Sequence, residues 1–120
     1  MKAGFAVRVV NAPRGYAQWL APVPDNVRFV ARVTRRTDLV HVFTTKRGEL
    51  QRLLQRLRHA IAPATAIWVS WPKKSANIAA DVDANAIREI ALPLGLVDIK
   101  VCAVDDVWSA LKLVIRKELR

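Results

Sequence analysis

Residues 46–61, KRGELQRLLQRLRHAI, give the clearest helix signal in the chain, because their leucines recur at the three- and four-residue spacing of one helix face. The segments on either side, residues 38–43 (DLVHVF) and residues 65–71 (TAIWVSW), are β-branched and apolar, as strands are. Thr44 or Thr45 is expected to cap the helix. A strand, a helix and a second strand in this order form a parallel pair, and the chain therefore belongs among the α/β folds.

Further segments continue the alternation of strands and helices, and residues that break regular structure bound each of them. Asp81 or Asp83 is expected to cap a later amphipathic helix. Only Asp105 and Asp106 separate the last two strands, so these strands must form an antiparallel hairpin. The other predicted strands cover residues 5–10, 27–30, 97–104 and 107–115, and the other predicted helices cover residues 16–21 and 83–95.

These elements predict one Rossmann-like domain, residues 1–120, built as a three-layer α/β/α sandwich. Its sheet would be mostly parallel, with the antiparallel hairpin at the C-terminal end. The connection over residues 31–37 leaves two layouts open. If strands 27–30 and 38–43 are parallel with strand 5–10 between them, seven extended residues reach about 23 Å across a diagonal of roughly 20 Å. The alternative is a hairpin that turns at TRRT. We predict the parallel layout.

Composition excludes several classes of protein. A hydrophobic content of 52% excludes intrinsic disorder, and no run approaches the ~18 apolar residues of a membrane span. The N-terminal residues reach Arg8 without an apolar stretch of signal-peptide length. Cys102 is the only cysteine and cannot form an internal disulfide, which fits a reducing compartment. We expect a soluble, cytoplasmic protein.

Positive charge is concentrated in the first half of the chain. The whole chain has 20 basic and 10 acidic residues, for a net charge of +10, and residues 1–60 hold 12 of the basic and 3 of the acidic side chains. Such a surface attracts polyanions by counterion release, which makes nucleic acid a candidate partner through Arg52 and Arg56. The alternative is an arginine-rich solvated surface that keeps the protein soluble.

Several segments resemble an uncharacterised bacterial family, domain of unknown function 3052. WVSWPKK and ALPLGLVDIKVCAVDDVWSALKLV resemble its signature segments, and NAPRGYAQWL and DLVHVFTTKRGEL are similar to its first loop and its middle strand and helix. The resemblance implies a small bacterial cytoplasmic protein with no assigned activity. The closing helix and hairpin also resemble, in architecture, the C-terminal half of Rossmann-like methyltransferases, but fold alone does not confer function.

The residues that hold an adenosyl or dinucleotide cofactor in Rossmann folds are missing. The loop after the first strand needs several glycines, but here it reads NAPRGYA, with Gly15 as its only glycine. Asn11 stands where the resembled family commonly has glycine. The second strand should end at an acid that holds the ribose hydroxyls, yet arginines follow it. We expect no tight binding of S-adenosylmethionine or NAD, and no other cofactor.

Candidate catalytic groups are equally sparse. His41 lies among apolar strand residues, where a hydrogen-bonded core histidine is the more common case, and His59 lies on the polar face of a helix. Cys102 alternates with apolar residues in a buried-looking strand and is interpreted as packing. Asp105 and Asp106 have the character of turn residues. The sequence therefore predicts no catalytic residues and no metal site.

The strongest functional signal lies where the strands end. Ligands of open α/β sheets bind outside the carboxyl ends of the strands, near helix N-termini. The residues predicted to meet there, as a candidate site for an anionic ligand, are Asn11, Arg14, Gly15, Thr44, Thr45, Lys46, Trp71, Lys73, Lys74 and Ser75. The alternative is that Pro72 ends its strand and both lysines point into water.

Three hypotheses about function follow. The first is a non-enzymatic, Rossmann-like binding module that recognises an anionic ligand or a partner at this edge. The second is a basic nucleic-acid-binding protein. The third is a degenerate methyltransferase-like or nucleotide-utilising enzyme, which S-adenosylmethionine or a nucleotide would stabilise against heat. The sequence leaves the identity of the ligand and the oligomeric state open.

Overall fold

Six strands form one mixed sheet in a computed structural model that describes residues 3–13 and 25–120. The strands are β1 (Ala6–Val10), β2 (Arg28–Phe29), β3 (Leu39–Phe43), β4 (Ala66–Pro72), β5 (Leu96–Ala103) and β6 (Trp108–Ile115). The helices are α1 (Arg47–Ala60) and α2 (Ala84–Ala91), and short 3₁₀ turns cover Lys74–Ala76, Leu92–Leu94 and Lys117–Leu119. The α/β class is confirmed. The predicted helix 16–21 lies outside the described residues.

The strand order is β2-β1-β3-β4-β6-β5, and β1 pairs in parallel with both β2 and β3. The parallel layout is therefore confirmed and the hairpin alternative is wrong. The connection over residues 31–37 crosses the sheet without a helix, and Val33 packs against the main hydrophobic core on the way. The connection does not need to be fully extended, because β2 has only two residues and the crossing is correspondingly short; residues 34–37 form a turn within it.

Both described helices cover the same face of the sheet. Alternate residues of the central strands, such as Val42 on β3 and Val69 on β4, point into a core that also holds Leu54 of α1 and Ile87 of α2. All four side chains are completely buried. Burial of this apolar face, at roughly 25 cal/mol per Å², holds the helices on the sheet. β4 lies between β3 and β6, so the strand predicted at residues 65–71 is central in the sheet.

The C-terminal hairpin is also confirmed, since β5 and β6 pair antiparallel. Asp105 fixes its turn by accepting the backbone N–H groups of Val107 and Trp108, both at 2.8 Å. β5 is one of the two edge strands of the sheet, and this corrects the interpretation of Cys102 as a buried residue. Cys102 is half-buried and its neighbour Val101 is 52% exposed, because an edge strand is covered less than a central one.

Helix capping differs from the expectation at α1. Neither Thr44 nor Thr45 is its N-cap; that position is Lys46, which makes no side-chain capping bond. Thr44 Oγ1 accepts the N–H of Lys46 at 3.2 Å and so shapes the turn before the helix. The first helical N–H, that of Arg47, donates instead to Asp81 Oδ1 at 2.6 Å. Sequence proximity favoured the threonines, but tertiary packing brings a more strongly accepting carboxylate to the helix end.

At α2, Asp83 is the N-cap and accepts the N–H of Ala86 at 2.8 Å, as one of the two predicted alternatives. The helix then tightens into the 3₁₀ turn and ends at Gly95, whose φ of 79° lies in the left-handed region. None of the helices in the described ranges is long and apolar enough to cross a membrane.

Candidate binding site at the carboxyl edge of the sheet

The carboxyl ends of β1, β3 and β4 meet at one edge of the sheet, because the three strands are parallel neighbours. Of the ten residues predicted to gather there, six line two separate cavities. Arg14 and Gly15 lie outside the described residues. Lys46 and Ser75 are exposed at the same edge but line neither cavity.

The first cavity, which we call the threonine cavity, has a volume of about 320 Å³ and is lined by Asn11, Phe43, Thr44, Thr45, Glu49 and Trp108. Thr44 is buried and its N–H donates to Ser70 O at 3.0 Å, which ties the end of β3 to β4. The rings of Phe43 and Trp108 meet edge to face, with centroids 5.1 Å apart, and form an apolar wall. The sequence analysis did not identify Glu49 or Trp108.

Asn11 is fixed in place by its own side chain. Its φ of 58° is left-handed, a conformation that asparagine tolerates better than most residues. Asn11 Nδ2 donates to Glu49 Oε1 at 3.0 Å and lies 3.4 Å from Phe43 O. These bonds join the end of β1 to the first turn of α1. A carboxylate therefore lines this cavity and no lysine or arginine is among its described lining residues, so an anionic ligand is disfavoured there.

The second cavity, the lysine cavity, has a volume of about 220 Å³ and is formed mainly by the end of β4 and the segment before α2. Its lining includes Trp71, Pro72, Lys73, Lys74, Asp81 and Asp83. Pairing with β6 continues one residue beyond Pro72, since the N–H of Lys73 donates to Val107 O at 2.7 Å. The ladder therefore ends at Lys73 rather than at the proline.

The two aspartates of the lysine cavity are engaged by helix N-termini. Asp81 accepts from the first amide of α1, and Asp83 caps α2. Neither forms an ion pair with Lys73 or Lys74; the two ion pairs found in the described ranges join other residues. The ammonium groups are thus available to an external anion. The N-terminus of α1, in contrast, already holds the carboxylate of Asp81.

The carboxyl end of β2, where Rossmann folds hold a cofactor ribose, lies beside β1. β2 ends opposite Val7, whereas β1 continues to Val10, so the two strands do not end level. The chain leaves β2 through Val30, Ala31 and Arg32, and the nearest following acid, Asp38, lies at the amino end of β3. Within residues 3–13 and 25–120, no acidic side chain lies at the carboxyl end of β2.

His41 lies on the sheet face opposite the two helices. Its Nε2 and Ser70 Oγ are hydrogen-bonded at 2.7 Å, and its ring stacks on Phe43 with centroids 4.3 Å apart. Burial lowers the pKa of His41 from 6.5 to about 4, because the charged imidazolium is desolvated. Ser70 is completely buried, so a substrate cannot reach its hydroxyl. This pair is structural, in agreement with the interpretation of His41 as a hydrogen-bonded histidine.

The outer surface of α1 carries the residues proposed for nucleic-acid contact. Arg52, Arg56 and His59 are exposed, as predicted, and with Gln55 and Leu94 they line an open groove of about 670 Å³. No carboxylate pairs with either arginine in the part of the chain that the structure describes. The same part contains no group of three or more His, Cys, Asp or Glu side chains that could hold a metal ion.

Comparison with known proteins bears on the fold. No family model matches the chain and no curated protein matches it, so the resemblance to the uncharacterised bacterial family stays a prediction. Several solved structures are similar. A SAM-dependent methyltransferase from Aquifex aeolicus superposes with a TM-score of 0.66 at 13% identity, over 95% of this chain and 84% of that chain.

Two other methyltransferases match in the same way. The mitomycin 7-O-methyltransferase gives a TM-score of 0.65 at 10% identity over 93% of this chain, and the B. subtilis M1A22 tRNA methyltransferase gives 0.64 at 9% over 93%. The chain spans 49% and 60% of those two proteins. At such low identity the likeness establishes the fold alone, which is Rossmann-like and methyltransferase-like.

Proposed function

We propose that this chain is a non-enzymatic binding module, built as a three-layer Rossmann-like sandwich, that recognises an anionic ligand or an anionic group of a partner in the lysine cavity. The proposal includes a cytoplasmic location, supported by the single cysteine. The observation that carries it is the pair of lysines beside Trp71, neither of which has a carboxylate partner.

The residues at the carboxyl edge of the sheet also argue against methyl transfer by this chain. A cofactor ribose would have to be held beyond β2, where the described chain offers arginines instead of a carboxylate. Loss of charge-assisted hydrogen bonds worth about 1.5–3 kcal/mol each lowers affinity by roughly ten- to a hundredfold per bond. Asn11 reinforces this argument, because its side chain is tied to Glu49 at the position where a glycine would let a ligand approach.

The lysine cavity suits a small anionic group. One or two charge-assisted hydrogen bonds at about 1.5–3 kcal/mol each, with Trp71 as an apolar wall, support dissociation constants from roughly 0.1 M to tens of micromolar. Trp71 is almost fully buried and belongs to the main hydrophobic core. Dissociation constants in this range are expected when a protein contacts only the anionic group of a ligand.

Replacing both Lys73 and Lys74 with alanine should abolish stabilisation by the ligand while leaving the fold intact. The expected change in the free energy of unfolding is within about 0.5 kcal/mol, because Lys74 is exposed and the backbone N–H of Lys73 keeps its bond to Val107. The measurement is a thermal-shift screen of nucleotides, sugar phosphates, NAD and S-adenosylmethionine on the parent and the variant.

The matched control is the double variant Lys100→Ala/Lys117→Ala, which removes two exposed positive charges elsewhere. It should respond to the stabilising compound as the parent does. Equal stabilisation of all three proteins would show that the doubled lysine is only a solvated strand end. Saturable binding of S-adenosylmethionine at micromolar concentration would favour the methyltransferase-like alternative.

Nucleic acid is the second candidate ligand, and the groove on α1 is the observation that favours it. Replacing Arg52 and Arg56 with glutamine should flatten the slope of log K against log salt by about 2, one for each phosphate that an arginine no longer neutralises. Fluorescence anisotropy with a single-stranded oligonucleotide at several salt concentrations measures this slope. Binding that survives high salt and prefers one sequence would contradict the weak, sequence-independent binding expected here.

A further inference from the structure

A third cavity lies at the edge of the sheet that β2 forms, apart from the cavity that holds Lys73 and Lys74. It has a volume of about 400 Å³, and its lining includes Ala6, Arg28, Arg32, Thr34, Arg36 and Thr37. We call it the arginine cavity. Ala6 and Thr37 are buried, and the three arginines are exposed. Three exposed arginines therefore line a cavity that two buried residues also line.

The arginine cavity exists because of the unusual connection between β2 and β3. Arg28 begins β2 beside Ala6 of β1, and the connection over residues 31–37 then returns along the sheet to the amino end of β3. Arg32 and Arg36 lie near the two ends of this return. The cavity is thus bounded by the amino half of the sheet edge and lies apart from the carboxyl edge.

No acidic side chain of the described residues forms an ion pair with these arginines. Every Asp and Glu of the chain falls within residues 25–120, which the structure describes. The two ion pairs there are Arg47 with Glu89 and Arg88 with Asp98. Asp38, the acid that follows the connection, directs its Oδ2 to the N–H of Ala6 at 2.8 Å. Three like charges on one small cavity repel each other, and a bound anion would relieve that repulsion.

The segment that carries Arg36 is held in one conformation by hydroxyl groups. Thr37 Oγ1 accepts the N–H of Thr34 at 2.9 Å, and Thr34 Oγ1 accepts the N–H of Arg36 at 3.1 Å. The N–H of Thr37 closes the turn by donating to Thr34 O at 3.0 Å. Because these bonds fix the backbone before a ligand arrives, less conformational entropy is lost on binding.

We propose that the arginine cavity binds a diphosphate group. Each guanidinium offers several N–H donors in a planar fork that matches two phosphate oxygens. Three guanidinium groups together offer more donors than the two oxygens of a single carboxylate can accept, whereas a diphosphate has enough acceptor oxygens. A volume of 400 Å³ lies in the range of small-molecule sites, about 300–1,000 Å³. The source of the phosphates is a small molecule such as a nucleoside diphosphate, or two successive phosphates of a nucleic-acid backbone.

Isothermal titration calorimetry with sodium pyrophosphate at low salt tests the proposal on the full chain. Arg28→Gln, Arg32→Gln and Arg36→Gln should each weaken binding about tenfold, the loss expected for one charge-assisted hydrogen bond. Arg116→Gln is the matched control, since Arg116 is exposed and follows β6, three strands away from β1. It should bind within about twofold of the parent if the effect is local rather than a change in net charge.

Absence of pyrophosphate binding, or three variants that bind as Arg116→Gln does, would overturn the proposal. Circular dichroism checks that each variant is folded, and Arg32→Lys gives a second test, because a lysine keeps the charge but loses the fork.

Competition by ADP but not by a single-stranded decanucleotide identifies a small-molecule source, and competition by both at equal phosphate concentration identifies a backbone. The variant Lys73→Ala/Lys74→Ala should retain pyrophosphate binding, so failure of the lysine cavity and failure of the arginine cavity are distinguishable.

Discussion

Lowering the pH from 6.5 to 4 is expected to reduce the free energy of unfolding by roughly 3 kcal/mol through His41 alone. Burial holds the pKa of His41 at about 4 in the folded protein, against an ordinary value of 6.5 when the chain unfolds. Each unit of difference corresponds to about 1.36 kcal/mol. Between these two values the unfolded chain binds a proton that the folded chain does not, so stability is present above pH 6.5 and is lost as the pH falls toward 4.

Urea unfolding at pH 7, 5.5 and 4.5 measures this loss. Carboxyl groups also titrate in this range, so the informative quantity is the difference between the parent and the variant His41→Gln. The variant should lose less stability on acidification, because glutamine has no proton to bind. His59→Gln is the matched control, since His59 is exposed on α1. Parallel pH dependences for the parent and His41→Gln would contradict the prediction.

Replacing Leu54 with alanine should lower the free energy of unfolding by about 2–5 kcal/mol. Leu54 is completely buried between α1 and the sheet, in the cluster that also holds Val42, Val69 and Ile87. Truncation removes apolar packing and leaves a cavity that the surrounding strands can close only in part. A loss of this size is a large share of the 5–15 kcal/mol typical of a domain.

Chemical denaturation of Leu54→Ala and of Leu92→Ala tests this packing. Leu92 is 51% exposed in the 3₁₀ turn after α2, and its truncation should change stability by no more than about 0.5 kcal/mol. Similar losses for the two variants would mean that α1 does not pack on the sheet as described. Because the substitution is the same in both variants, a difference between their losses of stability reflects the burial of the side chain rather than its chemistry.

The order and type of the described elements could be predicted because the signals that determine them are local. Helical spacing of the leucines in α1 and the short Asp105-Asp106 turn were sufficient to predict a parallel unit and a closing hairpin. The parallel layout of β2 and β3 was also predicted, since seven extended residues can reach across the sheet, but the sequence left a hairpin open as the alternative and the structure decided between them. The exposed outer face of α1 followed from the same periodicity as its buried face.

The candidate sites were predicted less completely. The sequence indicated the carboxyl edge of the sheet, but it did not indicate that Glu49 lines the threonine cavity or that Asp81 lies at the N-terminus of α1. Asp81 and Arg47 are 34 residues apart, and no local pattern relates them. The exposure of β5 was also missed, because an apolar strand signal is the same in a central strand and in an edge strand.

Local sequence patterns predicted the α/β class, the parallel unit around α1 and the C-terminal hairpin, and composition revealed the excess of arginine in the first half. Periodicity and the lengths of short connections depend on neighbouring residues, so the sequence is sufficient for these features. Long-range packing determines which carboxylate meets which helix end, how the predicted site divides into two cavities, and that Arg28, Arg32 and Arg36 line one cavity. These features depend on interactions between residues far apart in the chain, which packing of the whole sheet brings together.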